Sequence, residues 1–376
     1  FPLEKFEESA DFMQLIGKFF SKAQNDLVVF AYCDVIDNLV LTLAGNLTAE
    51  VNHPTWVESV RSIYEKGKRI GSRYDPNLNS SKDANAISEI CWQHCVLLLS
   101  SILSVAPKEL FSEHWMDFIE SNLYKLKSKV PIEDRVTFIV GVNRLLWVYL
   151  YRLPDSLNNT VKKLDTIFSN LFLNQSTKKQ QWVSIDPQLF AAILNLFRII
   201  GYQHLNYVLD NALLPLIKQL FNGINLEGAI IERLILAVKA YLIVLQGYET
   251  GERPIFPADE NETHQEQQLL ENKDYKANAK SNTNAALHDE ICRMFSNILK
   301  LLDEQYGVKV NSDTTEAVNS SRSAFFHFDF TDLGTKDLHL VLFATLLEAL
   351  PWTEETCSQL PFKNMVEILV RNSVHP

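Results

Sequence analysis

The sequence predicts an all-α protein, a HEAT/armadillo-like α-solenoid of antiparallel helix pairs, and three observations lead there. Glycine and proline are scarce, 12 and 13 in 376 residues, and many fall in a few places. Long uninterrupted elements follow. Apolar residues recur at three-and-four spacing along most of the chain, the period of a helix with one buried face. Several of these stretches open on a proline, whose missing N–H costs nothing in a first helical turn. With 47% apolar and 22% charged residues, a large core is available and global disorder is excluded.

The elements follow in order. Residues 4–23 place Phe6, Phe12, Met13, Ile16, Phe19 and Phe20 on an amphipathic stripe. A second helix is expected from Leu27 to Val51. A third opens at Pro54 and ends near Gly71. After the polar break YDPNLNSSKD comes a helix carrying Ile87, Ile90, Cys91, Val96, Leu97 and Leu98. Pro107 starts another, with Leu110, Phe111, Trp115, Phe118, Ile119 and Leu123 on one side.

Pro131 at a first helical position, with Glu133 and Asp134 facing the positive helix end, opens the next. Asp186 as N-cap before Pro187 opens a helix striped by Leu189, Phe190, Ile193, Leu194, Phe197 and Ile200. Helices near 205–221, 227–247, 285–305, 337–350 and 362–372 complete the series. Short joints between about a dozen such elements suggest stacked pairs, although no strict repeat motif is visible. One continuous solenoid over 1–376 is expected. It is interrupted by a polar, flexible insertion at 249–284 and a long loop at 307–336 that holds a short extended segment at 325–330.

Charge and composition narrow the function. A formal charge of −11 without an arginine-rich arm argues against nucleic acid as the main partner. Lys66, Lys68 and Arg69 form a local basic exception. It reads either as a last helical turn that complements the helix dipole or as part of a partner-binding patch. The most apolar segments, Val96 to Ala106 and Leu234 to Leu245, are too short or carry Lys239, so no membrane span is expected. The chain starts at Phe1 rather than Met and reads as a fragment of a larger protein. Five cysteines, odd in number and mostly isolated, suit a reducing compartment, and the six Asn-x-Ser/Thr sequons are discounted.

Chemistry is sparse. CWQHC puts Cys91, His94 and Cys95 on one helical face, but a metal site usually takes four ligands and no second pair stands at a recognisable spacing. Buried, inert side chains are the simpler reading, and no cofactor or metal is expected. No glycine-rich phosphate loop, nucleophile elbow or His-Glu-x-x-His occurs, so an enzyme is not expected. The adjacent pairs Glu7-Glu8 and Glu354-Glu355 point to different sides of a helix. Phe326, Phe328 and Phe330 give an extended segment one apolar face, which could dock on this chain or on a partner.

The densest run, VNRLLWVYLYRLP at 142–154, mixes aromatics and two arginines with leucines and valines. On a helix Val142, Leu145, Leu146, Tyr149 and Leu150 share a face, and Trp147, Val148 and Tyr151 widen it. Apolar character nearly all round means a helix buried between neighbours, with Arg144 and Arg152 about two turns apart at its rim.

Within that run, RLLWVYLYR at 144–152 resembles the signature helix of the Furry family of cell-morphogenesis proteins, in its fungal branch. FEESADFMQ at 6–14 and KELFSEHWMDFIESNLYKLKSK at 108–129 resemble other helices of the same N-terminal region, in the same order, and LDEQYG near 302–307 fits a later one. The resemblance implies a cytoplasmic scaffold, concentrated at sites of polarised growth or the cell cortex. Its implied partners are an NDR-type kinase with its MOB co-activator and an upstream germinal-centre-type kinase, the RAM network of fungi. No catalytic residue comes with it. Arg144, Leu145, Trp147, Tyr149 and Arg152 match the signature and read as chiefly structural. A rival expectation is an attachment module that binds microtubules or the cortex without direct kinase contact.

Overall fold

A computed structural model describes residues 6–44, 53–74, 86–126, 130–173, 186–221, 228–258, 285–306 and 338–353, with Lys363 and Val366. Every regular element among them is helical. The helices are α1 (Phe6–Lys22), α2 (Asp26–Ala44), α3 (Pro54–Tyr74), α4 (Ala86–Ser104), α5 (Lys108–Asn122), α6 (Ile132–Trp147) and α7 (Leu157–Phe168). They continue with α8 (Pro187–Tyr207), α9 (Leu214–Phe221), α10 (Gly228–Thr250), α11 (Ala285–Tyr306) and α12 (Leu338–Thr353).

Local chemistry sets the ends. Asp186 caps α8 by accepting from the backbone N–H groups of Gln188 and Leu189, and Pro187 takes the first position. Asn25 accepts from Leu27 N–H at 3.0 Å at the start of α2. Pro107 and Pro131 sit one place earlier than expected, as N-caps of α5 and α6. The C-terminus of α4 is closed by side chains from elsewhere: Trp56 donates to Val105 O at 3.0 Å and Arg152 to Ala106 O at 3.2 Å.

Three π-turns prolong helices, at Val148–Arg152 after α6, Ser169–Leu173 after α7 and Val208–Leu213 between α8 and α9. The first closes with Leu153 N–H on Val148 O at 2.9 Å. The helix expected at 205–221 is therefore the end of α8, a π-turn and α9. Non-helical angles at His204 mark a kink just before it. Helix α7 was not expected from the sequence at all. Its signal, Thr160, Leu164, Ile167 and Phe168 at helical spacing, is short and hidden among polar residues. Of the stretch expected to be flexible, Glu249 and Thr250 complete α10, and Pro254, Phe256 and Pro257 are buried. Residues 259–284, the loop with its 325–330 segment, Glu354-Glu355 and nearly all of the helix expected at 362–372 lie outside the described residues.

The described residues group into two compact units. One holds α1 to α7 and residues 254–258. Its centre is α4, which packs against α2, α3, α5 and α6, while α1 packs on α3. Being surrounded explains why α4 is apolar on every side. Its buried Ser100 and Ser104 return their hydroxyls to their own helix, on Leu97 O and Ser100 O, both at 2.8 Å. The other unit holds α8 to α12 around α10, which packs against α8, α9 and α12.

In the second unit α8 and α10 approach closely at Gly201. A Cβ there would lie 2.6 Å from Cγ1 and 2.9 Å from Cγ2 of Val244, which is itself buried. A β-branched valine is stiff at χ1 and cannot swing away. Gly201→Ala is thus expected to lose about 1–2 kcal/mol net, overpacking outweighing the helix-propensity gain. Urea denaturation checks this, with Val244→Ala in the same chain recovering part of the loss.

Also in this unit, Tyr241 Oη and His288 Nδ1 lie 3.0 Å apart, both buried. Burial lowers the His288 pKa, as it does for His94 and His204. These rings take up protons less readily in the fold than in the unfolded chain, whose histidines do so below about pH 6.5. Their stabilising contribution is therefore full above that pH and declines as pH falls through it. Melting between pH 7.5 and 5.5 should show the decline, and His288→Gln should make it shallower.

Candidate functional site

Helix α6 is buried from Asp134 to Trp147. Leu145, Trp147 and Tyr149 lie inside the first unit. Arg144 does not reach a rim: it is 2% exposed, which corrects the sequence expectation. Its guanidinium instead joins three parts of the unit. Nη1 meets Asp37 Oδ1 of α2 at 3.0 Å and Ser101 Oγ of α4 at 2.9 Å. Nε donates to Pro257 O at 2.9 Å and Nη2 to Ala258 O at 3.1 Å. Ser101 also donates to Asp37. A planar fork with several donors suits such a junction, because it can face a carboxylate and two carbonyls at once.

Trp147 extends the same contact. Its indole N–H donates to Pro254 O at 2.8 Å, and its ring meets Phe256 edge-on with centroids 5.3 Å apart. Tyr149, on another side, stacks on Trp115 of α5 at 4.5 Å and lies 3.3 Å from Thr160 Oγ1 of α7. The Lys163 ammonium stands 4.6 Å from the centre of the Tyr149 ring and 3.3 Å from Asp155. Arg152 is partly buried, and burial pushes its guanidinium down to about 10. The signature residues therefore hold helices together.

A second buried ion pair lies in the same unit. Lys125 Nζ is 3.0 Å from Asp134 Oδ2, Gln93 donates to Oδ1 at 2.8 Å, and the ammonium sits 3.6 Å above the Trp92 ring. Asp134 was expected to serve the helix dipole; it serves this pair as well.

The remaining sequence candidates fall apart or outside. Cys33 and Cys95 lie 3.9 Å apart, sulfur to sulfur, and Cys33, Cys91 and Cys95 are all buried and free. The contact with Cys33, then burial, push the Cys95 thiol well above its usual range, and burial raises Cys91. His94 packs on Phe30 and lies 3.7 Å from Asp34. No cluster of three metal-ligating groups occurs among the described residues. Cys292 of α11 is buried and disulfide-bonded, so the cysteines are less isolated than the sequence suggested. Phe326, Phe328 and Phe330 are outside the described residues.

In the basic exception, Lys66 is partly buried and its ammonium lies 3.3 Å from Ser21 O and from Ala23 O, closing the end of α1. Lys68 and Arg69 are exposed on α3, and Arg69 donates to Glu65 O at 3.3 Å. They sit a turn before the end of α3, which runs on to Tyr74. A cleft of about 290 Å³ beside Lys66 is also lined by Asp26, Arg73 and Tyr74. Tyr74 donates to Asp26, so this carboxylate is engaged in a structural hydrogen bond.

The surface holds what the sequence reading missed. Of the apolar residues assigned to one stripe of α1, Met13, Ile16 and Phe20 are buried, but Phe12 and Phe19 are 44% and 52% exposed. Leu15 joins them, and α2 exposes Leu27, Val28 and Val35. Ile90, expected inside, is 43% exposed on α4. The exposed face of α3 mixes Arg61, Lys68, Arg69 and Arg73 with Glu58 and Glu65. The signal for the α1 stripe was present: its apolar residues cover more of the helix circumference than one packing face needs.

These features define a helical protein whose distinctive residues build an internal frame and whose first helices present an apolar surface. The chain belongs to the cell morphogenesis N-terminal family, whose model matches residues 1–376. It is 39% identical over its whole length to the cell morphogenesis protein PAG1 of Saccharomyces cerevisiae, of which it covers 15%. It is 22% identical, over 68% of its length, to the cell polarity protein mor2 of Schizosaccharomyces pombe, covering 11% of that protein. Both relatives are fungal, in line with the resemblance to the fungal Furry branch. The chain spans about a seventh or less of either relative. No solved structure matches it. No helix among the described residues is long and apolar enough to cross a membrane.

Proposed function

We propose that this chain is part of a non-catalytic, cytoplasmic scaffold for NDR-type kinase signalling, working in polarised growth, cell morphogenesis and cell separation. Its partners on this reading are the NDR-type kinase with its MOB co-activator and an upstream germinal-centre-type kinase. Holding kinase and substrate together raises their effective concentration without any catalytic group. The relatives, a cell morphogenesis protein and a cell polarity protein, support the role in morphogenesis and polarised growth. The observation that carries the binding role is the exposed stripe Phe12, Leu15 and Phe19, of a kind that marks protein-binding surfaces. The packing of α1 on α3, α2 on α4 and α4 on α6 supports a HEAT/armadillo-like solenoid as the framework.

The test is calorimetry of this chain with the kinase–MOB complex, and separately with the upstream kinase, at physiological salt. Micromolar or tighter binding is expected to one of them. The triple variant Phe12→Ala, Leu15→Ala, Phe19→Ala should weaken it at least tenfold while melting as before. No binding to either, with cosedimentation on microtubules or anionic vesicles instead, would replace this reading with an attachment module.

A further inference from the structure

Within the first unit, residues 254–258 lie against α6 as a bound peptide would. Pro254, Phe256 and Pro257 turn inward, while Ile255 between them is 56% exposed. From α6 the segment receives hydrogen bonds on its carbonyls: Trp147 donates to Pro254 O, and Arg144 to Pro257 O and Ala258 O. Proline has no N–H to leave unsatisfied and keeps the chain extended, so acceptor-only recognition beside an aromatic ring suits proline-containing peptides. Phe256 is 3% exposed against the Trp147 edge and supplies the apolar anchor. On the other side the chain leaves α10 through Gly251, at φ +65, with nothing within 4 Å of the place a Cβ would take. Glu252 and Arg253 are exposed.

We propose that the groove formed by Arg144, Trp147 and the α2–α4 groups behind them is a peptide-binding site, filled in cis by Pro254–Ala258. Its partner in trans is an extended segment of the form proline, any residue, large apolar residue, proline. The segment acts as a strap that such a partner displaces. This does not depend on the kinase reading, because it concerns the chemistry of the groove alone.

The test uses a fluorescent peptide of the sequence GERPIFPADE added to the full chain, read by anisotropy. The wild-type chain, its groove occupied, should bind weakly. Phe256→Ala, which removes the anchor from the strap and not from the groove, should bind at least tenfold tighter. A chain with 254–258 replaced by glycine and serine should do the same, and a peptide carrying alanine for its phenylalanine should not bind. Folded variants that bind no better than wild type would overturn the proposal. So would loss of the helical fold in both variants, since the strap would then be core and not a ligand. A concentration-dependent dimer of the wild-type chain that disappears in Phe256→Ala would overturn the cis assignment in favour of strap exchange between copies.

Discussion

Arg144→Ala is expected to be among the most destabilising single changes in the first unit, lowering stability by about 3–5 kcal/mol. The reason lies in what it leaves behind. Asp37 is 7% exposed and its carboxylate faces Arg144 and Ser101, so losing the guanidinium strands a charge away from water. The carbonyls of Pro257 and Ala258 lose their donors in the same step. Arg144→Lys should not rescue the chain, because one ammonium cannot face a carboxylate and two carbonyls in different directions. Adding Asp37→Leu to an Arg144→Met chain removes the stranded charge and should recover part of the loss. The two carbonyls would still lack their donors. Urea denaturation followed by helical circular dichroism measures all four chains, and a midpoint for Arg144→Ala within error of wild type would contradict the role assigned to the junction.

Lys125→Met is expected to cost a similar amount, about 3–5 kcal/mol, but with a different response to compensation. Lys125 and Asp134 are 0% and 1% exposed, so removing the cation leaves a carboxylate buried with Gln93 alone. Here one ammonium faces one carboxylate, with Gln93 and the Trp92 ring beside them. Replacing both members with apolar residues of similar size, Lys125→Met with Asp134→Leu, should return the chain close to wild-type stability. The cation–π contact on Trp92 becomes an apolar contact in that variant. The same pair of experiments thus separates two kinds of buried charge: an exchangeable pair at Lys125 and a branched junction at Arg144. A double variant as unstable as the single one would show that Asp134 has a further role at the start of α6.

The sequence by itself determined the all-helical class and most of the helix starts, because those rest on local physics. A period of three to four, proline in a first turn and aspartate before it act within a few residues, so α3 at Pro54 and α8 after Asp186 could be read directly. It also determined the family, since RLLWVYLYR and its neighbours are legible as strings, and it showed that the run at 142–154 is apolar nearly all round. Tertiary structure decided what periodicity cannot carry. Whether Phe12 and Phe19 face the core or solvent depends on which side of α1 meets α3, and a helix with apolar residues on two sides gives no local answer. Whether Arg144 stands at a rim or in the centre depends on Asp37, Ser101 and Pro257. These partners are distant in sequence, and nothing near Arg144 announces them. The close approach at Gly201 likewise exists because Val244 of another helix lies opposite. Burial of charge and exposure of apolar surface are properties of pairs of elements, so they appear once the elements are packed together.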